Sequence, residues 1–311
     1  MKPAAVSGRS VALAGKSISN QDRVLITGAS GWFGQTAVTM MDYLGVPSFL
    51  IGSNSRSIQI AGKSRKIDVW DDKKIKDFAP TVVVDCAFLT REFVADVGLS
   101  KFVDANRQLV RQTISLQDLD SVRLVVAFSS GAAEEYRLNS EKSSIEKDPY
   151  GYLKHEQEEL MVAGFSSSNC DLVISRVWSV SGSLVTKVNG FAFTDLICQA
   201  LHGGIRVNSN FYVWRRYCMI EEVIAVALNG SQGSEKVFDT GGQLIEIRDL
   251  ARLIQELVNP NARLELPADS DGIVSKYFSD GESWSRWCNM LSFETASLDE
   301  QIMQVSNWMK Q

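Results

Sequence analysis

The sequence predicts an α/β fold, a doubly wound parallel sheet followed by a smaller C-terminal lobe. Three observations carry this prediction. Short β-type runs alternate with helix-length segments through the first half of the 311-residue chain. Parallel neighbours need such crossovers, and right-handed ones wind the sheet outward in both directions. The first apolar run, Val24-Leu25-Ile26, passes at Thr27 into glycines spaced Gly28-x-x-Gly31-x-x-Gly34 and then into a helical pattern. Beyond Trp178 the regular alternation fades.

The elements follow in order. Strands are predicted at residues 23–27, 48–52, 65–69, 81–86, 123–129 and 172–177, several of them continuous apolar runs such as Val82-Val83-Val84 that suit burial on both faces. Helices are predicted between them at 33–44, 71–78, 100–116 and 150–163. In the second half, 191–202 reads as a helix stopped by Gly203-Gly204. Residues 220–228 read as another helix, and 237–240 as a short strand ended by Gly241-Gly242. The amphipathic segment 247–258 stops at Asn259-Pro260. The last helix opens with the capping box Ser297-x-x-Glu300 and sets Ile302, Val305 and Trp308 on one packing face. Trp284 and Trp287 read as filling for the smaller lobe, with a pocket lining as the alternative. Residues 1–21 are expected to form a flexible leader. Residues 22–178 are expected to form the sheet domain and 179–311 mainly the second lobe, with about 220–240 returning to the sheet.

Composition narrows the partners. A formal net charge of −5 gives no general pull towards nucleic acid or an anionic membrane. No apolar run approaches the roughly eighteen residues a membrane span needs. The five cysteines (Cys86, Cys170, Cys198, Cys218, Cys288) are scattered with no Cys-x-x-Cys pair, and His155 and His202 are the only histidines. That pattern predicts free thiols in a reducing cytoplasm, no metal site, and no Ser-His-Asp hydrolase. His155, next to a lysine in a polar helix, reads as a surface residue.

Two motifs point to chemistry. A buried strand running through glycines into a helix N-terminus offers free N–H groups, a partial positive charge and close backbone approach, which suit a dinucleotide pyrophosphate. More than a hundred residues on, Tyr150-Gly-Tyr-Leu-Lys154 sets a phenol and an ammonium four apart on one helix face. A tyrosine of pKa about 10 is a poor base at neutral pH, and a neighbouring lysine cation draws it towards working range. The run ending Phe128-Ser129-Ser130-Gly131 brings hydroxyls to the carboxyl edge of the sheet, where folds of this type bind ligands.

With these residues in place, the chain resembles the extended short-chain dehydrogenase/reductase family, the NAD-dependent epimerase/dehydratases, from about Arg23 onward. The resemblance rests on the segment Thr27-Gly-Ala-Ser-Gly-Trp-Phe-Gly34 and on Asp68-Val69, Cys86-Ala87-Phe88-Leu89, Phe102-Val-Asp-Ala-Asn106, Ser130, Tyr150 and Lys154. It implies a Rossmann sheet with a smaller C-terminal substrate lobe. It also implies a dinucleotide lined by Gly28, Ser30, Gly31, Trp32, Phe33, Gly34, Asp68, Val69, Ala87, Phe88, Leu89, Asn106, Ser129, Tyr150 and Lys154. In the mechanism it implies, Tyr150 exchanges a proton with substrate, Lys154 holds the nicotinamide ribose and depresses the tyrosine pKa, and Ser130, with Ser129 as the fallback, steadies the substrate oxygen. The segments 175–182 and 215–222 resemble the family's nucleotide-sugar site, which makes Ser179 and Arg215 candidate substrate contacts. Arg215 has a second reading as a partner of Glu221 or Glu222. A homodimer through the helices carrying Asn106 and Lys154 is also implied.

The chain departs from that pattern in the second strand, which ends Phe49-Leu-Ile-Gly52-Ser-Asn-Ser-Arg56 without the acidic residue of NAD-specific members. Gly52 would leave space, and Ser53 with Arg56 could hold a 2′-phosphate, so NADP(H) is favoured over NAD(H); Arg56 as a solvated loop cation is the alternative. Ser130-Gly131-Ala132 lacks the Asp-Glu pair of sugar dehydratases. The expectation is keto-reduction on a nucleoside-diphosphate deoxysugar. An NAD-retaining epimerase and a catalytically idle NADP-binding sensor or scaffold stand as alternatives.

Overall fold

The computed structural model describes residues 4–139, 144–230, 235–268 and 272–311. Helix α1 (Gly8–Ala14) leads into β1 (Val24–Thr27), α2 (Trp32–Leu44) and β2 (Ser48–Leu50). A hairpin of β3 (Arg56–Ile60) and β4 (Lys63–Ile67) follows. Next come α3 (Asp72–Phe78), β5 (Val82–Asp85), the short α4 (Phe93–Val97), α5 (Leu99–Ser115) and β6 (Leu124–Ser130). Helices α6 (Gly131–Leu138) and α7 (Pro149–Gly164) precede β7 (Asp171–Val177). The second half begins with β8 (Val180–Ser181), α8 (Ala192–Leu201), β9 (Gly204–Arg206), β10 (Tyr212–Met219), α9 (Ile220–Leu228) and β11 (Val237–Asp239). It ends with β12 (Gln243–Glu246), α10 (Ile247–Val258), β13 (Arg263–Glu265), β14 (Val274–Tyr277), α11 (Glu282–Met290) and α12 (Leu298–Met309).

Six strands in the order β11-β7-β6-β5-β1-β2 form one parallel sheet. Every residue of β1, β5 and β6 is buried, as their unbroken apolar runs require. The chain winds one way from β1 to β2 and the other way from β5 onward, so the switch point lies between the carboxyl ends of β1 and β5. β11 adds to the sheet beside β7, and α9, buried along all nine of its residues, covers the same side. The second lobe centres on β10, paired antiparallel with β12 and parallel with β14, while α8, α10 and α12 share a core with Tyr217.

Two expectations change. Residues 65–69 were expected in the parallel sheet, but β4 pairs antiparallel with β3 in a separate ribbon, joined to the sheet's edge by the parallel bridge Ile51–Asp68. Lys63, Ser64 and Lys66 face solvent, and only Ile60 and Ile67 of the ribbon are sealed in the core, too little apolar surface for a central strand. The leader is not a free extension either. Ser7 caps α1, and Ala5, Val6, Leu13, Ala14 and Ile18 are buried in the same core as Met41 of α2 and Val226 of α9. The buried Asn229 side chain donates to the Leu13 carbonyl at 3.0 Å and accepts from the Ser17 hydroxyl at 2.6 Å. The apolar residues before Asp22 are few, but these five are sealed in the core.

Trp284 and Trp287 pack against Phe238 of β11 with centroid separations of 6.4 and 5.5 Å, so both are core residues. Ile302 and Val305 of α12 are likewise buried. Truncating the α1 anchor, Leu13→Ala, is expected to lower the unfolding free energy by about 2–5 kcal/mol in a denaturant titration. A change near zero would mean that α1 contributes no core.

Candidate active site

The turn after β1 is shaped by how closely its backbone meets its neighbours. Gly28 has φ +58°, and a Cβ there would lie 2.5 Å from the Cys86 carbonyl oxygen. A Cβ on Gly34 would lie 2.3 Å from the Gly28 oxygen, so the first turn of α2 packs directly on the loop. Gly31 is the N-cap and supplies no side-chain hydrogen bond, leaving the first N–H groups of a thirteen-residue helix facing out. The Thr27 hydroxyl donates to the buried Asp85 carboxylate and accepts from the N–H groups of Cys86 at 3.2 Å and Ala87 at 3.1 Å. This joint fixes the end of β5 against the glycine turn. A cradle from which any side chain would be excluded, closed by a bare helix end, fits the pyrophosphate of a dinucleotide.

Around the cradle, Trp32 is buried with its ring 4.8 Å from that of Phe191, and Phe33 packs on Phe128 at 4.6 Å. The main chain of Ser30 accepts from Gln35. The buried Asn106 of α5 accepts from the Leu89 N–H at 2.8 Å and donates back to the Leu89 carbonyl at 3.4 Å, fixing the loop Ala87-Phe88-Leu89 at the sheet edge. Asp68 is held by Lys66 at 3.2 Å, Lys74 at 3.5 Å and the Ser55 hydroxyl; the hydrogen bond from Lys66 holds its carboxyl below the usual range. Val69 beside it is exposed. Ser53 in the turn after β2 and Arg56 at the start of β3 are exposed, with Arg56 donating to Asn54 at 2.8 Å. The space expected at Gly52 is taken by Ile67, whose Cγ2 lies 2.8 Å from where a Cβ would sit.

The three residues expected to do chemistry meet at the carboxyl edge of β6, but not in the expected arrangement. Ser130 ends β6 and caps α6, accepting from the Ala132 N–H at 3.2 Å. The Ser129 hydroxyl is buried and unpartnered. Tyr150 lies in the first turn of α7, where Asp148 caps the helix through the Gly151 N–H. Burial pushes the Tyr150 phenol up to about 12, with the Ser130 hydroxyl pulling the other way. Lys154 is buried and donates to the Phe128 carbonyl at 2.8 Å and to Gln157 at 2.9 Å, with its ammonium 3.6 Å from the centre of the Phe88 ring. Burial brings Lys154 down to about 7, against the opposing pull of Asp85 and Glu158. The expectation that Lys154 lowers the tyrosine pKa is therefore corrected: loss of water outweighs every charge near Tyr150.

The sequence pattern of the NAD dependent epimerase/dehydratase family matches residues 24–235. The chain belongs to that family. No curated protein sequence matches it significantly, whereas solved structures of similar fold are numerous. The UDP-N-acetylglucosamine 4-epimerase of Methanobrevibacter ruminantium, in complex with UDP-N-acetylmuramic acid, is 16% identical, with a TM-score of 0.73 over 94% of this chain and 99% of that one. The Bordetella bronchiseptica enzyme WbmF, in complex with NAD+, gives 0.73 at 17% identity over 94% and 93%. The UDP-glucose 4-epimerase of Thermotoga maritima, with UDP-glucose, gives 0.68 at 17% identity over 93% and 98%. These likenesses establish the Rossmann-type fold of this family member.

Of the substrate-end residues, Ser179 is half-buried between β7 and β8. Arg215 of β10 donates to the Trp214 carbonyl and lies 5.6 Å over the Tyr277 ring. The alternative pairing of Arg215 is not seen: Glu221 accepts from Gln304, and Glu222 from the N–H groups of Met219 and Ala296. Tyr277 was missed from the sequence. Its hydroxyl is 3.1 Å from the Ser130 oxygen, and its ring packs on Trp178 at 5.0 Å. No spacing rule links positions so far apart in the chain; only the parallel register of β14 on β10 brings them together. Arg91, 5.8 Å over the Tyr150 ring, was missed for the same reason.

The buried ammonium sets a pH test. Folded Lys154 loses its proton near 7, while an unfolded lysine keeps it to about 10.4, so folding releases a proton between those limits and stability rises with pH there. The protein is expected to gain about 1–3 kcal/mol on its Lys154→Met variant between about pH 7 and about pH 9.5, read by denaturant titration. A constant difference across that range would place the ammonium in water.

Proposed function

We propose that this protein is a nicotinamide-dinucleotide-dependent oxidoreductase acting on a nucleoside-diphosphate sugar, in the direction of carbonyl reduction. The observation that carries the reading is the placement of the Ser130 and Tyr150 hydroxyls at the sheet edge beside the glycine cradle. When bound, the dinucleotide supplies hydride transfer at the substrate carbon. With its pKa raised to about 12, the Tyr150 phenol stays protonated at neutral pH, the state required to donate a proton to a carbonyl oxygen as charge develops there. The Ser130 hydroxyl, already shared with Tyr277, hydrogen-bonds the same oxygen. Arg215 supplies a cation at the lobe interface for a diphosphate, and the UDP-sugars in the similar folds support a ligand of that class.

NADP(H) is the preferred cofactor in this reading. Asp68 is committed to two lysines, while Arg56 is exposed and donates to Asn54, a geometry in which its charge can meet a 2′-phosphate. A homodimer through α5 and α7 belongs to the same proposal; the exposed Leu160 on α7 supports it. The epimerase reading has its own support in the folds of two solved 4-epimerases. Purified protein decides between them: consumption of added NADPH with a nucleoside-diphosphate ketosugar supports reduction, whereas tightly retained NAD with no net oxidation of NADPH supports epimerisation.

Tyr150→Phe is expected to lower turnover by about 10²–10⁴-fold while leaving the dinucleotide dissociation constant within about twofold. Equal loss of both, measured by steady-state kinetics and calorimetry, would remove Tyr150 from the chemistry.

A further inference from the structure

We propose that Phe88 is a gate over Lys154, and that the nicotinamide half of the dinucleotide binds only when this ring moves aside. The inference rests on the dinucleotide reading above. An ammonium has three N–H donors and no acceptor. Two of those of Lys154 are spent on the Phe128 carbonyl and the Gln157 side chain, at 2.8 and 2.9 Å. The Phe88 ring covers the remaining side, its centre 3.6 Å from Nζ. A ribose diol that is to reach Lys154 therefore competes with this ring for the same donor. The same ring meets Tyr150 edge-on at 6.0 Å and 85°, so it contacts both of the side chains that, on the dinucleotide reading, a bound nicotinamide riboside approaches together.

The surroundings leave the ring as the part that moves. The main chain on either side of Phe88 is pinned, Ala87 by the Thr27 hydroxyl and Leu89 by both ends of the Asn106 amide. Phe88 itself is only half-buried. Rotation about its side-chain torsions, with the backbone fixed, uncovers the ammonium. The glycine cradle is built from other residues and stays the same in either state of the gate, so an adenosine diphosphate binds without opening it.

The test compares two ligands on two proteins by calorimetry. Phe88→Ala is expected to tighten NADPH binding by about fivefold to twentyfold while the dissociation constant of 2′,5′-ADP stays within about twofold. Labelling of Lys154 by an amine reagent, followed by mass spectrometry of its peptide, is expected to speed up in Phe88→Ala without any cofactor present. Phe88→Leu, which keeps most of the bulk, guards against a folding defect and should give a smaller shift in the same direction. Unchanged or weakened NADPH binding with 2′,5′-ADP still bound overturns the gate and leaves the dinucleotide reading standing. Parallel tightening of both ligands also overturns it. Failure of both proteins to bind either ligand overturns the NADP(H) preference, and the same comparison with NADH and ADP then supports the gate if NADH alone is tightened in Phe88→Ala and overturns it if not.

Discussion

The joint between β1 and β5 is the constraint on which the rest of the site depends. At the carboxyl edge of the sheet the two strands hold each other through one hydroxyl: Thr27 donates to Asp85 and accepts from two successive N–H groups beyond it. This closeness is possible only because Gly28 has no side chain to strike the Cys86 carbonyl. Three consequences follow from the one contact. The helix behind the glycines starts at the sheet edge with its N–H groups free, the loop carrying Phe88 is held beside Lys154, and Asn106 can complete the hold from α5.

Burial governs the chemistry at that edge. Tyr150 and Lys154 are both short of water, and each is driven towards its neutral form, the phenol upwards and the ammonium downwards. The acid–base pair inferred from a four-residue spacing assumes that charge acts on charge across a helix face. Here the lysine has turned inward to the Gln157 amide on its own helix and to a carbonyl and an aromatic ring from other elements, and those last two contacts a helical wheel does not contain. The same burial that undoes the expected coupling keeps the phenol in its neutral form.

The second lobe completes the site from a distance. Tyr277 reaches Ser130 because β14 lies parallel to β10, and Arg215, on the neighbouring strand, reaches the Tyr277 ring. Behind them Arg176 binds Glu134 of α6 at 2.8 Å and Glu158 of α7 at 2.7 Å, fastening to β7 the helix that Ser130 caps and the helix that carries Tyr150. The alternating pattern of the first half does not show the contacts of Tyr277 and Arg215, since those residues belong to elements beyond the alternation.

The sequence by itself determined the parallel sheet, the glycine cradle and the positions of Ser130, Tyr150 and Lys154 at one edge. These depend on local signals: apolar runs buried on both faces, glycines where backbones touch, and capping residues at helix starts. Tertiary structure alone decided that the leader is core, because Leu13 and Ile18 need the groove beside α2 and α9 before their apolar surface counts. It decided that residues 63–67 form an outer ribbon, because pairing and solvent exposure are properties of neighbours. It also decided what Lys154 touches. A side chain with three donors takes whatever acceptors the fold brings within reach, and besides Gln157 of its own helix those come from β6 and the loop after β5, segments that lie well before α7 in the chain.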